Sequence, residues 1–404
     1  MLKAGTATKG WVAPGFEPVR EAFRHNMLRD HEIGAGCCVY VNGERVVHLW
    51  GGITDRTTGT QWTEDSAAPA YSVSKGLVAL CFNMLVDRGI LDLDAPIMAY
   101  WPAFGVNGKE AITTRMLLNH RAGLTCLDAP VTLDDFRRPE VLHDRLVAQQ
   151  PMTTPGEEQA YAATAFGMFT QALFREITGE SVGTFLSREV VQPLGLNNLW
   201  IGLPSDAPMP ATLYPSSPAR LVGRVIPEAL TRNSPEGRLF RRLAFAPNSY
   251  SYRAVRNPDL GPRGLESLNE RKNLEIELPW MNGVSSAADL AAVYGLLGNG
   301  GALNDTRLLS EASVGALCER QSWSDRDPVV HKSLGFSQGF CKEDPDVYSP
   351  NIESFGHTGT GGSIGFADPV AGVGFGYVMN RLDWRLRSPR ALRLARAVYA
   401  CLEG

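Results

Sequence analysis

Residues 76–86 form a segment so apolar that a helix built from it has to be buried on every side. Asn83 is the polar exception in a run of glycine, leucine, valine, alanine, cysteine, phenylalanine and methionine. A helix without a polar stripe has no face to turn towards water, so the rest of the chain has to surround it. It ends at Asp87-Arg88-Gly89, where the glycine suits a left-handed cap. With 404 residues the chain is long enough for one large domain or two lobes.

The beginning of the chain predicts a helix followed by an antiparallel hairpin. Apolar residues recur at near-helical spacing over residues 16–29, which is typical of an amphipathic helix. Two β-rich runs, residues 37–41 and 46–50, flank Asn42-Gly43, a dipeptide that favours a two-residue hairpin turn.

The end of the chain predicts the same kinds of element. Residues 365–369 and 374–379 are typical of two strands around a turn. Ser388-Pro389 has the form of a helix N-cap followed by proline at the first helical position, and residues 390–402 continue as an amphipathic helix. Helix and sheet at both ends predict an α+β fold in which an antiparallel sheet is flanked by terminal helices.

We therefore expect three regions. A discontinuous sheet lobe takes residues 10–70 and 280–404, and a mostly helical lobe takes residues 71–203. Residues 204–279 are rich in proline and arginine and show few clear periods. A stretch of this length favours an insertion or lid that shapes a substrate site, and a solvated surface excursion is the alternative.

Charge and cysteine content argue against several classes of partner. With 39 basic and 43 acidic residues the formal net charge is -4, which gives no reason to expect nucleic acid or an anionic membrane as a partner. Seven scattered cysteines without metal-ligand spacing predict mostly buried free thiols in a reducing compartment and no metal site. The first six residues lack the apolar run of a signal peptide and no segment is apolar for long enough to span a bilayer, so we expect a cytoplasmic protein. The sequence carries no signal for the oligomeric state.

Ser72-Val73-Ser74-Lys75 opens the apolar helix and is the one Ser-x-x-Lys in the chain. At helical spacing, Lys75 lies one turn along the same face as Ser72. A helix N-terminus favours negative charge on the serine oxygen, and a lysine buried in apolar surroundings loses proton affinity and can act as a base. The alternative is a serine N-cap followed by an ordinary surface lysine.

Two other residues invite a catalytic interpretation that we do not favour. Ser363 lies in Gly-Gly-Ser-Ile-Gly, which satisfies the Gly-x-Ser-x-Gly lipase pattern, but that pattern needs a strand before it and a helix after it. Here residues 366–369 are typical of a strand and a turn, so we expect Ser363 not to be the nucleophile. His120 precedes Gly123 after a helix-like run, and we expect it to brace that turn rather than to take part in catalysis.

Several motifs resemble, in the same order, those of the class C β-lactamase-like serine hydrolases, and the family VIII carboxylesterases most of all. The matching segments are Tyr71-Ser72-Val73-Ser74-Lys75-Gly76, residues 89–96, residues 112–124 and Pro193-Leu194-Gly195-Leu196. The resemblance covers most of the chain. It implies a β-lactamase/penicillin-binding-protein-like fold, Ser72 as the nucleophile, Lys75 as the base beside it, and no cofactor.

The family's Tyr-x-Asn motif falls at Tyr161-Ala162-Ala163, where the tyrosine is kept and alanine replaces the asparagine. The resemblance implies that Tyr161 is a general base or acid beside the nucleophile. An interior tyrosine with a satisfied hydroxyl is the alternative. In the β-lactamases the asparagine contacts the side-chain amide of the substrate, so its absence favours the esterase branch.

The family's Lys-Thr-Gly motif falls at His357-Thr358-Gly359, which Thr360 follows. The resemblance implies that the three motif residues bind substrate on a strand lining the site. It also implies an oxyanion hole made by the backbone N–H groups of Ser72 and Thr360. His357 replaces a fixed positive charge that would receive a β-lactam carboxylate, and a histidine bears that charge only in part near neutral pH. This favours neutral esters, and a loop histidine in a glycine-rich turn is the alternative.

The sequence thus predicts a serine hydrolase that cleaves carboxylic esters through an acyl-enzyme on Ser72, with a small-molecule ester or amide as its substrate. Hydrolysis of β-lactams or D-amino-acid amides, or acyl transfer to an amine, would use the same site, because a fold does not choose among these chemistries. A relative that binds ligands without catalysis is the alternative of another class. The presence of Ser72, Lys75 and Tyr161 argues against this alternative, because a relative without catalysis would be free to lose them.

Overall fold

The computed structural model describes residues 7–216, 221–344 and 347–403. The expectation about a signal peptide concerns residues outside these ranges. The helices are α1 (Glu17–Arg29), α2 (Ser74–Asp87), α3 (Thr114–Leu118), α4 (Pro139–Ala148), α5 (Ala165–Thr178), α6 (Val182–Leu186), α7 (Ile226–Thr231), α8 (Pro235–Phe245), α9 (Tyr250–Arg256), α10 (Arg271–Leu274), α11 (Ala287–Gly298), α12 (Glu311–Cys318) and α13 (Pro389–Leu402). The strands are β1 (Thr8–Val12), β2 (Gly34–Val41), β3 (Glu44–Gly52), β4 (Ala67–Pro69), β5 (Leu199–Trp200), β6 (Val284–Ser286), β7 (Ala302–Leu303), β8 (Thr306–Arg307), β9 (Ser322–Ser324), β10 (Leu334–Ser337), β11 (Phe340–Lys342), β12 (Phe355–Thr358), β13 (Ile364–Asp368) and β14 (Val373–Met379).

Within the described ranges, nine strands form one antiparallel sheet in the order β1-β3-β2-β14-β13-β12-β11-β10-β9. The predicted hairpin is β2 and β3, joined at Asn42-Gly43. Strand β2 pairs with β14 through seven residues, Cys37 opposite Tyr377 among them, so the two ends of the chain meet in the middle of the sheet. This confirms a sheet completed by both termini.

Helices cover both faces of this sheet. Gly51 on β3 faces Phe23 of α1, whereas Gly36 on the neighbouring β2 faces Ala287 of α11. Helix α13 packs beside α1, so the two terminal helices share one face. Proline at the first position starts α13 as predicted, but Ser388 makes no capping hydrogen bond with its side chain. Its hydroxyl donates to Asp383 instead.

The apolar helix α2 is buried as the sequence predicts. Its residues from Ser74 to Leu85 are all buried, and Gly89 adopts the left-handed conformation just after its end, at φ +68°. Helix α2 contacts β11 and β12 of the sheet and helices α5 and α6 on the other side. The start of this helix therefore lies where the sheet meets the helical part of the chain.

The proline- and arginine-rich stretch contains helices that its weak periodicity did not predict. Helices α7 to α10 and a 3₁₀ turn (Gly264–Asn269) lie within it. Helix α9 is tied to the rest of the molecule by the hydroxyl of Ser251, which donates to the carbonyl of Val329 at 2.8 Å.

No helix in the described ranges combines the length and the apolarity needed to cross a bilayer. All seven cysteines lie in those ranges as free thiols, and five of them are buried.

Candidate active site

Ser72 lies in a 3₁₀ turn (Tyr71–Val73) that leads into α2, so the α-helix itself begins two residues later than the sequence suggested. Tyr71 has a left-handed backbone, φ +51°, which is strained for a bulky residue and is retained mostly at functional sites. Its hydroxyl donates to the carbonyl of Leu265 at 3.2 Å. Leu265 lies in residues 204–279, the stretch predicted to be an insertion, which we call the insertion. Ser72 itself stays partly exposed, so a substrate can reach its hydroxyl.

The turn that carries Ser72 is held from several sides. The amide of Ala70 donates to the carbonyl of Gly283 at 2.7 Å, and the amide of Gly283 donates to the hydroxyl of Ser74 at 2.8 Å. Gly359 approaches so closely that a Cβ on it would lie 2.2 Å from the carbonyl oxygen of Ala70. Only glycine fits there, because any side chain would push the strand end away from the serine turn.

Lys75 contacts Ser72 as the Ser-x-x-Lys spacing predicts. Its Nζ lies 3.1 Å from Ser72 Oγ and 3.1 Å from the carbonyl oxygen of Trp280. The side chain is fully buried, and no carboxylate of the described residues forms an ion pair with it. Burial lowers the pKa of Lys75 well below its usual value, because the charged amine cannot be hydrated.

Tyr161 approaches the serine from the other side. Its hydroxyl donates to Ser72 Oγ at 3.2 Å, and Lys75 Nζ lies 5.2 Å from the centre of its ring. Burial raises the pKa of Tyr161, so the phenol stays protonated. Ala163 stands where the family has asparagine and brings no polar group to the site.

The predicted Lys-Thr-Gly equivalent lies at the end of β12. His357 is buried, its Nδ1–H donates to the carbonyl of Thr358 at 2.7 Å, and its Nε2 has no hydrogen-bond partner among the described residues. Burial lowers the pKa of His357 to about 3, because the charged ring cannot be hydrated. The partial positive charge that the sequence suggested for His357 is therefore absent at neutral pH.

Thr360 follows in the glycine-rich loop between β12 and β13 and is exposed. Neither its amide nor the amide of Ser72 donates a hydrogen bond to any residue that the structure describes. Two unengaged backbone donors are what an oxyanion hole requires.

Ser363 is not placed as a nucleophile. It is buried, and its hydroxyl donates to the carbonyl of Ala70 at 2.7 Å. It precedes β13 instead of a helix, so the strand–turn–helix context of the lipase pattern is missing.

His120, which we expected to brace its own turn, directs its side chain towards the segment that carries Tyr161. Its Nδ1 accepts a hydrogen bond from the amide of Ala162 at 3.0 Å, and its ring lies 5.1 Å from the ring of Tyr161. Since Nδ1 is the acceptor, the ring is neutral with its proton on Nε2.

The carbonyl of Trp280, which accepts a hydrogen bond from Lys75, could not be predicted from the sequence, because any residue type has a main-chain oxygen.

Comparisons with known proteins match most of the chain. Residues 19–399 match the family described as Beta-lactamase. An Esterase/beta-lactamase, LipL, of Mycobacterium tuberculosis is 35% identical over 383 residues, which are 94% of this chain and 84% of that protein.

Two solved structures superpose over nearly the whole chain. A family VIII carboxylesterase does so with a TM-score of 0.82 and 32% identity, covering 98% of this chain and 100% of its own. A penicillin-binding protein homologue from Caulobacter crescentus gives a TM-score of 0.82 and 29% identity over 98% of this chain and 100% of its own. These superpositions confirm the β-lactamase/penicillin-binding-protein-like fold. The chain thus belongs to the β-lactamase family, and it is a serine hydrolase.

Proposed function

We propose that this protein hydrolyses neutral carboxylic esters through an acyl-enzyme intermediate on Ser72. The observation that carries the proposal is the contact of Ser72 Oγ with two buried groups, Lys75 Nζ at 3.1 Å and the Tyr161 hydroxyl at 3.2 Å. A neutral amine and a neutral phenol around one oxygen supply a base and an acid without any further group.

The acylation step follows from these positions. Neutral Lys75 takes the proton of Ser72 as its oxygen attacks the carbonyl carbon of the ester. The amides of Ser72 and Thr360 stabilise the negative charge that develops on the carbonyl oxygen. Tyr161 gives its proton to the leaving alcohol and regains one from Lys75, which is again neutral. Deacylation repeats the sequence with water as the nucleophile.

Two features favour esters over β-lactams. Ala163 offers no amide to the acyl side chain of a β-lactam, and neutral His357 offers no charge to its carboxylate. The name of one solved relative, a family VIII carboxylesterase, points the same way, whereas the name of LipL gives both activities.

Steady-state assays of purified protein test the proposal. We expect turnover of short p-nitrophenyl esters to exceed that of a chromogenic cephalosporin and of D-amino-acid amides. Ser72→Ala should abolish ester turnover while leaving the circular dichroism spectrum unchanged, and Ser363→Ala should keep most of it. Full activity in Ser72→Ala would refute the proposal, and preferred turnover of the cephalosporin would replace esters by β-lactams.

A further inference from the structure

Tyr161 lies outside any helix or strand, so its position depends on hydrogen bonds from other parts of the chain. Three consecutive backbone amides at this point, those of residues 160–162, donate hydrogen bonds to residues from distant parts of the chain. Those of Ala160 and Ala162 donate to the carbonyl and to Nδ1 of His120, both at 3.0 Å. The amide of Tyr161 donates to Oδ2 of Asp327 at 2.9 Å.

Asp327 is a fully buried carboxylate without a cationic partner in the described part of the chain. Its second oxygen, Oδ1, accepts from the amides of Val329 at 2.9 Å and Val330 at 3.1 Å. Burial raises the pKa of Asp327. A carboxylate in this setting is costly to bury, and an asparagine would suffice to close the turn that follows. The carboxylate also accepts from the amide of Tyr161 and contacts the side chain of Gln159. An asparagine oxygen that is already engaged by the turn does not supply the hydrogen bond to Tyr161.

The turn of residues 327–331, which we call the Asp327 turn, lies between Tyr161 and the insertion. On its far side, Ser251 donates to the carbonyl of Val329 at 2.8 Å, and Arg238 donates to the carbonyl of His331 at 2.8 Å. Val329 and Val330 pack in the same apolar cluster as Tyr161 and Ala254 of α9. The turn therefore has the insertion on one side and Tyr161 on the other.

We infer that Asp327 is a positioning residue that fixes the Tyr161 hydroxyl at proton-transfer distance from Ser72, and that the insertion steadies it through the Asp327 turn. The inference rests on the proposed function, in which Tyr161 carries the proton to the leaving group. A displacement of the phenol by a fraction of an ångström is enough to slow such a transfer, since it depends on hydrogen-bond distance.

Asp327→Asn tests this directly. The asparagine oxygen can keep the amides of Val329 and Val330, but its NH₂ group then faces the amide of Tyr161, donor against donor. We expect kcat for p-nitrophenyl esters to fall about tenfold or more while KM changes little, because the loss is in proton transfer and not in binding. Asp325→Asn, an exposed aspartate in the same loop, should leave both constants unchanged.

A double-mutant cycle with Tyr161→Phe separates positioning from general damage. If Asp327 acts through the phenol, Asp327→Asn has no further effect on kcat once the phenol is gone. Equal losses in both backgrounds, with Tyr161→Phe itself strongly impaired, would overturn this inference and leave the proposed function standing. An unimpaired Tyr161→Phe would overturn both.

Ser251→Ala provides a milder variant that introduces no amide near Tyr161, in case Asp327→Asn does not fold. It loosens the Asp327 turn from the insertion side, so we expect a smaller fall in kcat, again absent in the Tyr161→Phe background. A fall that persists in that background would contradict the coupling.

Discussion

Lys75 owes its low proton affinity to burial alone. A carboxylate beside it would keep the amine charged, and the contacts of its Nζ are instead a serine oxygen and a main-chain carbonyl. Both are neutral acceptors, so the charged form gains little in return for its lost hydration. Burial therefore favours the neutral amine, which is the form that can act as a base.

We predict that Lys75→Arg inactivates the enzyme although it keeps a long side chain that can donate hydrogen bonds. Arginine keeps its proton at any pH that the protein survives, so it cannot accept the proton of Ser72. We expect kcat for p-nitrophenyl esters to fall by about 10²–10⁴-fold, the usual contribution of a general base. Lys109→Arg is the matched control, since Lys109 is also fully buried but donates to the carbonyls of Val147 and Gln149. Comparable turnover losses in both variants would contradict the assignment.

At this scale the sequence predicts the contacts that lie within one turn of chain and misses those that join distant segments. Ser72 and Lys75 are three residues apart, so helical spacing alone brings them together. The carbonyl of Trp280 is 205 residues from Lys75 along the chain, and Asp327 is 166 residues from Tyr161. Nothing in the local pattern around Asp327 distinguishes it from the exposed Asp325 nearby.

Part of the insertion packs against the apolar cluster that contains Tyr161. Tyr250, at the start of α9, packs against the apolar cluster that contains Tyr161. Tyr252, in contrast, has the guanidinium carbon of Arg256 5.9 Å from the centre of its ring. We propose that this part of the insertion limits the size of the acyl group.

Tyr250→Ala should therefore raise kcat/KM for hexanoyl and octanoyl esters relative to the acetyl ester, because it removes bulk beside the reacting groups. Tyr252→Ala is the matched control and should leave the chain-length profile unchanged. A series of p-nitrophenyl esters of increasing acyl length measures both. An unaltered profile in Tyr250→Ala would rule out this role for α9.

The helices of the insertion carry start signals that local inspection could have used. Ser234 and Ser249 cap α8 and α9, accepting hydrogen bonds from the amides of Gly237 and Tyr252. Proline follows Ser234 directly, as is common at the first position of a helix. The helices themselves are short and arginine-rich, so their apolar periods span too few turns to be recognised.

For the whole molecule, four histidines that are fully or partly buried link stability to pH. Burial lowers the pKa of His48 and His331 to about 4 and that of His357 to about 3, and it also lowers the pKa of His120. Unfolded histidines bind protons near pH 6.5. Between that pH and about 4 the unfolded chain binds more protons than the folded one, so this contribution to the free energy of unfolding is lost as the pH falls. Glu32, Asp289 and Asp327, whose pKa values burial raises, act in the opposite direction.

A single variant separates the contribution of His357 to the pH dependence of stability from the contributions of the other groups. His357→Gln should flatten the dependence of the free energy of unfolding on pH between 6.5 and 4 by up to about 1.4 kcal/mol per pH unit, the slope due to one proton. Urea titrations at several pH values measure it. The same slope in the variant and in the parent protein would show that His357 takes up its proton in the folded state, against the burial described here.

The general plan of the molecule could be predicted from its two ends, since hairpin and helix signals there are local. The order of the strands could not, because β2 pairs with β14 across more than 300 residues and periodicity does not reveal partners. The family resemblance predicted the type of fold without that order, and the superposed structures confirm the fold.

Trapping of the acyl group tests the central claim most directly. Rapid acid quench during turnover of a slowly deacylating p-nitrophenyl ester, followed by trypsin digestion and mass spectrometry, locates the added mass. Trypsin releases Ser72 on the peptide of residues 57–75 and Ser363 on that of residues 343–381. The account predicts one acyl group on the first peptide, at Ser72, and none on the second. An acyl group on the second peptide, or none on either while the ester is consumed in a burst, would contradict it.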